Sequence, residues 1–88
     1  MLRISEGAMG SDSVTFLIEG RVIGPWVMEL RTFCERFLGK GYRLTLDLGD
    51  VSFVDRDGVA ALRDLVSRKA TLINCPLFLV EQLKNSGS

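Results

Sequence analysis

The chain has 88 residues, of which 47% are hydrophobic, enough for one domain with a single small core. Lys and Arg together number 11, as do Asp and Glu, so the formal net charge is zero. This charge argues against binding to nucleic acid or to anionic lipid, because both need a basic surface. Histidine is absent, which removes the commonest general base and metal ligand and disfavours an enzyme.

The location of the chain is predicted from segments that it lacks. No stretch has the apolar length of a signal peptide or of a membrane span, so we expect a cytoplasmic protein without membrane insertion. Cys34 and Cys75 lie far apart and without metal-ligand spacing, and both are predicted to be small buried side chains. No cofactor and no metal are expected.

Two strands and one helix are predicted in the first half. The strands cover LRIS (2–5) and VTFLIEG (14–20), with a turn rich in Gly, Ser and Asp between them. A helix is predicted over 24–41, with Gly24 as its N-cap and Pro25 in its first turn. One face of this helix carries apolar side chains at helical spacing, namely Val27, Leu30, Cys34, Phe37 and Leu38.

The second half is predicted to contain two more strand–helix pairs. The strands cover 42–50 and 70–74, the second of them short and buried, and the helices cover 57–69 and 76–84. The order ββαβαβα predicts an α/β fold. Its four-stranded sheet should be mostly parallel, with one N-terminal antiparallel strand, and the helices should pack on the sheet through right-handed crossovers.

Two loops are predicted at the edge where the parallel strands end, which is the usual place for sites in such sheets. These loops cover 20–24 and 49–58. The second has ten residues, more than the roughly 2–6 that usually join a strand to a helix. We expect Val51, Phe53 and Val54 to tuck under the following helix, and a functional role for them is the alternative.

Asp55, Arg56 and Asp57 form the most unusual motif, directly before the predicted second helix. A carboxylate at this place favours helix initiation, which explains one of the two aspartates but not the pair. A calcium loop is excluded because Phe53 would be its first ligand. A phosphoaspartate receiver is disfavoured because it needs acids from two strands and a lysine from a third, which the other strand ends do not supply. Glycosidase chemistry is disfavoured because it needs a substrate cleft, which so short a chain can hardly form.

The segments LTLDLGDV and VDRDGV, the ββαβαβα order and the closing helix begun by Pro76 resemble a STAS domain. This family includes bacterial anti-sigma factor antagonists and cytoplasmic domains of sulphate transporters. The resemblance covers nearly the whole chain and implies one STAS-like domain over 1–88. It matches Asp55 to the family's aspartate, Gly58 to its glycine and Val59 to its first apolar helix residue.

Three residues depart from the family pattern. Arg56 replaces a small serine, and Arg21 stands where the family often has an acidic residue. Asp57 occupies the position of the serine or threonine that a partner kinase phosphorylates in anti-sigma factor antagonists. The resemblance therefore implies that this chain receives no phosphate there. Whether Asp57 imitates the phosphorylated state or only helps to begin the helix stays open.

The resemblance implies a non-catalytic bacterial regulator of transcription that binds a protein partner, either an anti-sigma factor or a kinase-like regulator. The alternative is an accessory or structural subunit of a lipid- or anion-transport assembly. A nucleotide sensor lacks support because no glycine-rich phosphate loop is present. A homodimer stays open. The predicted partner-binding residues are Arg21, Ile23, Phe53, Asp55, Arg56, Asp57 and Gly58.

Overall fold

The elements of the fold follow the predicted order in a computed structural model that describes residues 2–85 and, for Asn85, only the backbone. The predicted single domain over 1–88 also includes residues 1 and 86–88, which lie outside the described residues. The elements are β1 (Leu2–Met9), β2 (Ser13–Val22), α1 (Pro25–Gly39), β3 (Arg43–Val54), α2 (Arg56–Ser67), β4 (Thr71–Ile73) and α3 (Leu77–Asn85).

The four strands form one sheet in the order β1-β2-β3-β4. The first strand is antiparallel to β2, and β2, β3 and β4 are mutually parallel, as predicted. Because parallel neighbours are joined by right-handed crossovers, α1 and α2 lie on the same face of the sheet. The ends of β2 and β3 thus define a carboxyl edge, where both helices begin, and an amino edge, where both helices end.

The core lies between the sheet and the helices. Alternate residues of β2 and β3 face inward and are buried, because successive strand side chains point to opposite faces; they are Val14, Phe16, Ile18, Leu44, Leu46 and Leu48. The ring of Phe16 contacts Phe33 and Phe37 edge to face, with ring centroids 4.7 and 5.0 Å apart. Such contacts add to the stability gained from burial and fix α1 on the sheet.

The third strand is longer than predicted. Residues 49–54 were expected in a ten-residue loop, but they continue β3, and only Asp55 separates β3 from α2. The sequence suggests a turn at Gly49-Asp50, yet an irregularity in register absorbs it and β2 stays paired through Val22 and Val54. Val51 and Val54 are buried as expected, whereas Phe53 is 51% exposed.

Two other strand predictions differ from the structure. The strand predicted over 2–5 extends over Leu2–Met9. The strand over 70–74 covers only Thr71–Ile73, and it is not buried, because Thr71 and Ile73 are exposed. As the last strand of the sheet, β4 has a neighbour on one side only. The start of α1 is as predicted, with Gly24 as N-cap and Pro25 in the first turn.

The two cysteines are free. Cys34 is fully buried in the core, as predicted, and Cys75 is half-buried. Burial, with a smaller contribution from the Glu35 carboxylate, raises the pKa of the Cys34 thiol to about 12. Since the thiolate is the reactive form, Cys34 acts as a small apolar side chain in the core.

Candidate protein-docking edge

Asp55 begins α2. Its backbone is extended (φ −84°, ψ −179°), and its Oδ1 accepts a hydrogen bond from the backbone N–H of Gly58 at 2.7 Å. This is the geometry of an N-cap, which satisfies one of the free N–H groups of the first turn. Of the two aspartates, the capping residue is therefore Asp55, and Asp57 makes no capping bond.

The same carboxylate also holds the start of α1. Its Oδ2 accepts a hydrogen bond from the backbone N–H of Gly24 at 3.0 Å, and Gly24 is the N-cap of α1. The backbone of Gly24 has φ +51° and ψ −130°, a combination that favours glycine. One carboxylate thus joins the first turns of two helices that lie 31 residues apart in the chain.

Gly58 is buried and fits closely against the end of β2. A Cβ atom at this position would lie 2.6 Å from the carbonyl oxygen of Val22 and 2.7 Å from Cγ1 of Val54. These distances are well inside van der Waals contact, so only glycine allows α2 to begin so close to the sheet. Gly58 was among the predicted partner-binding residues. Its close contact with Val22 and Val54 gives it a role in packing α2 against the sheet.

Arg56 and Asp57 follow the cap and are exposed in the first turn of α2. Neither side chain has a hydrogen-bond or ion-pair partner within residues 2–85. The acidic residue in this turn favours the helix through the helix dipole, by a fraction of a kcal/mol. The position matched to the family's phosphorylation site is thus open to solvent at the carboxyl edge.

The other predicted residues lie at the same edge with different exposure. Arg21 and Phe53 are register neighbours on β2 and β3, and both are exposed. Ile23, one residue beyond β2, is half-buried. The exposed members of the predicted set are therefore Arg21, Phe53, Arg56 and Asp57, and the frame at the start of α2 is formed by Asp55 and Gly58.

Asp47 lies within β3, and its carboxylate accepts two hydrogen bonds. Its Oδ1 accepts from the backbone N–H of Gly49 at 3.0 Å, and its Oδ2 accepts from Nδ2 of Asn74 at 3.1 Å. Asp47 therefore fixes the approach of the chain after β4. In the part of the chain that the structure describes, no three Cys, Asp or Glu side chains are arranged to hold a metal ion.

One feature of this edge was not predicted. A cleft of about 800 Å³ runs between α2 and α3, lined by Arg56, Val59, Ala60, Arg63, Asp64, Glu81 and Gln82. Nε2 of Gln82 donates to the carbonyl oxygen of Val54 at 3.1 Å, which ties α3 to the end of β3. No sequence signal locates this cleft, because the packing of α3 depends on contacts between residues 28 positions apart.

The sequence matches no protein-family model and none of the curated proteins. Among solved structures it is similar to the anti-sigma factor antagonist SpoIIAA in its unphosphorylated form, with 13% identity, a TM-score of 0.77 and coverage of 93% of this chain and 82% of that one. The phosphorylated form of the Bacillus cell fate determinant SpoIIAA gives 15% identity, a TM-score of 0.76 and coverage of 97% and 84%.

A third similar structure is the STAS domain of an anti-sigma factor antagonist from Rhodobacter sphaeroides, with 14% identity and a TM-score of 0.59 over 83% of this chain and 86% of that one. The chain has a STAS-like fold. This agrees with the fold that the sequence resemblance implied. No helix within residues 2–85 is long and apolar enough to cross a membrane.

Proposed function

We propose that the chain is a non-catalytic regulatory module that binds a protein partner at the carboxyl edge. The proposed contact residues are Arg21, Ile23, Phe53, Arg56 and Asp57, held in place by Asp55 and Gly58. By resemblance to anti-sigma factor antagonists, the partner is an anti-sigma factor or a related kinase-like regulator. The similar structures named above are themselves anti-sigma factor antagonists.

The observation that carries this proposal is the contrast in exposure around α2. The Asp55 carboxylate accepts two internal hydrogen bonds. Phe53 is 51% exposed, and Arg56 and Asp57 have no side-chain partner within residues 2–85, so these three side chains are available to a partner. Aromatic and arginine side chains are enriched at the centres of protein interfaces and among the residues that dominate binding energy. An exposed phenylalanine on a fixed backbone also loses little conformational entropy when it is bound.

We further propose that Asp57 removes control by phosphorylation. A phosphoserine at the start of a helix carries a charge of about −1.5 to −2 and three acceptor oxygens, whereas aspartate carries one charge and two oxygens. A phosphate can be added and removed by enzymes, but the Asp57 carboxylate is part of the side chain. The partner would therefore always bind this edge with the same charge at position 57.

The first experiment is affinity capture from the native cell with the tagged chain and matched variants. We expect a kinase-like regulator to be captured by the unaltered chain and lost with Phe53→Ser. The control is Met9→Ser, since Met9 is equally exposed (50%) but lies near the amino edge. Capture of an ATP-binding transport subunit instead would favour the accessory-subunit alternative, and equal capture by both variants would contradict docking at this edge.

A second experiment tests the loss of phospho-control. The captured kinase is incubated with ATP and either the unaltered chain or Asp57→Ser, and the products are analysed by mass spectrometry. We expect phosphate on the variant only. Stable phosphate on Asp57 of the unaltered chain would overturn this part of the proposal.

A further inference from the structure

A second cavity lies at the amino edge of the sheet, opposite the proposed docking edge. It is an open depression with a volume of about 380 Å³, bordered by the end of α1, the start of β3 and the end of α2. Its lining consists of Leu38, Gly39, Gly41, Tyr42, Arg43, Arg68 and Lys69. Three of these described lining residues are cationic and none is acidic, in a chain whose net charge is zero.

Three of the four polar side chains that line this cavity have no hydrogen-bond or ion-pair partner within the described residues. Arg68 pairs with Glu35 at 2.7 Å, but the side chains of Tyr42, Arg43 and Lys69 have no hydrogen-bond or ion-pair partner among residues 2–85. These three groups come from the connection after α1, from β3 and from the end of α2. The cavity therefore offers donors from three separate places and carries positive charge.

The helix dipole explains only part of this arrangement. Cations are favoured at the last turns of helices, where carbonyl groups are left without partners. Here the last carbonyls of α2 accept backbone bonds, from Lys69 N–H to Val66 at 2.9 Å and from Ala70 N–H to Leu65 at 3.0 Å. Arg43 lies on a strand, so no helix terminus accounts for it.

Lys69 also has a backbone conformation that favours glycine. Its φ is +75°, in the left-handed region that costs a residue with a Cβ atom extra free energy. The matching position at the end of α1 is Gly41, with φ +84°. A lysine at this place lowers stability relative to glycine, so a contribution of its side chain to binding would explain its presence.

We propose that this cavity binds a small molecule carrying a phosphate group. A phosphate has three terminal oxygens and a charge of about −1.5 to −2 at neutral pH, which match donors from three directions and the excess of cations. A guanidinium can bind two of these oxygens at once, and the ammonium and the phenol hydroxyl bind one each. The volume suits a phosphate monoester with a small body. This proposal is independent of partner binding at the carboxyl edge.

The test is a titration of the full chain with inorganic phosphate and with pyrophosphate, followed by amide chemical shifts in NMR at constant ionic strength. We expect shifts at residues 39–43 and 67–70 that saturate with phosphate and not with chloride. Lys69→Gly and Arg43→Gln should each weaken the binding by about tenfold, the value of one charge-assisted hydrogen bond. Lys84→Gln, at the exposed end of α3, should leave it unchanged.

Lys69→Gly is an informative variant because it also removes the backbone strain. We expect it to unfold at a higher temperature than the unaltered chain while binding phosphate more weakly, so weaker binding cannot be attributed to a damaged fold. Equal weakening by Lys69→Gly and Lys84→Gln would show diffuse charge attraction and overturn the site. Absence of saturable shifts would also overturn it.

The phosphate group of a lipid could bind the same donors, so a separate experiment distinguishes a lipid from a free small molecule. The chain is mixed with phosphatidylcholine vesicles with or without phosphatidic acid and sedimented. We expect no cosedimentation in either case. Cosedimentation that requires phosphatidic acid and Lys69, without saturable binding of the free phosphates, would overturn the small-molecule proposal in favour of a membrane surface.

Discussion

The carboxyl and amino edges of the sheet use their polar side chains in opposite ways. At the carboxyl edge, Asp55 connects the first turns of α1 and α2 through two hydrogen bonds. At the amino edge, one exposed ion pair between Arg68 and Glu35 joins the end of α2 to α1, and Arg43 and Lys69 remain unpaired within the described residues. The carboxyl edge is therefore a fixed frame with a few exposed side chains, and the amino edge is a cationic surface on which Lys69 has an unfavourable backbone conformation.

A similar difference between bonded and accessible side chains is present at the carboxyl edge itself, between Asp55 and Asp57. Asp55 is half-buried and both of its carboxylate oxygens accept hydrogen bonds, whereas Asp57 is exposed and its side chain has no partner among the described residues. The two residues are both aspartates at the start of α2, so only their contacts distinguish them. These contacts give Asp55 a structural role and leave Asp57 accessible to a partner. Stability should depend on the first aspartate, and recognition should depend on the second.

The largest expected effect comes from Asp55→Ala. Loss of the cap costs about 1 kcal/mol, and loss of the second bond with its charged acceptor adds about 2 kcal/mol. Urea unfolding followed by circular dichroism measures the change in the free energy of unfolding. The matched control is Asp57→Ala, for which the loss should stay below about 1 kcal/mol; equal losses would contradict the division of roles.

Gly58→Ala should have the next largest effect. The new methyl group would meet the Val22 carbonyl oxygen at 2.6 Å, and overpacking of this kind costs about 1–3 kcal/mol. Gly39→Ala is the control, because nothing lies within 4 Å of a Cβ atom there, and alanine in a helix is more favourable than glycine by about 1 kcal/mol. Thermal unfolding should therefore shift in opposite directions for the two variants, and a shared direction would refute the close fit at Gly58.

The two helix ends at the amino edge allow a smaller test. Lys69→Gly should stabilise the chain by about 1 kcal/mol, and Gly41→Ala should destabilise it by a similar amount, because both positions have the left-handed backbone. The free energy of unfolding from denaturant titration checks both values. A loss of stability with Lys69→Gly would mean that the lysine side chain supports the fold, against the view of this edge as a binding surface.

Much of the fold could be predicted from the sequence, because alternation in β2 and helical spacing in α1 are local patterns. The length of β3 could not, since Gly49-Asp50 has the composition of a turn and only pairing with β2 reveals a strand. The cap by a carboxylate was a local prediction, but the bond from Asp55 to Gly24 joins residues 31 positions apart. The cationic cavity likewise depends on three segments that meet only after folding.

The smallest effect on stability is expected for Phe53, the residue whose replacement should affect partner binding most. Phe53→Ser changes a side chain that is 51% exposed, so the free energy of unfolding should change by less than about 0.5 kcal/mol. Met9→Ser, at the other edge with 50% exposure, should behave alike in this measurement. The two variants should differ only when a partner is present.

The most direct measurement is therefore the affinity of the captured regulator for the unaltered chain, Phe53→Ser and Met9→Ser, by isothermal titration calorimetry. Docking at the carboxyl edge predicts that Phe53→Ser weakens binding at least tenfold, as at an interface residue worth more than about 1.4 kcal/mol, while Met9→Ser leaves the affinity unchanged. Equal affinities for the two variants, or a loss confined to Met9→Ser, would contradict a protein-binding carboxyl edge.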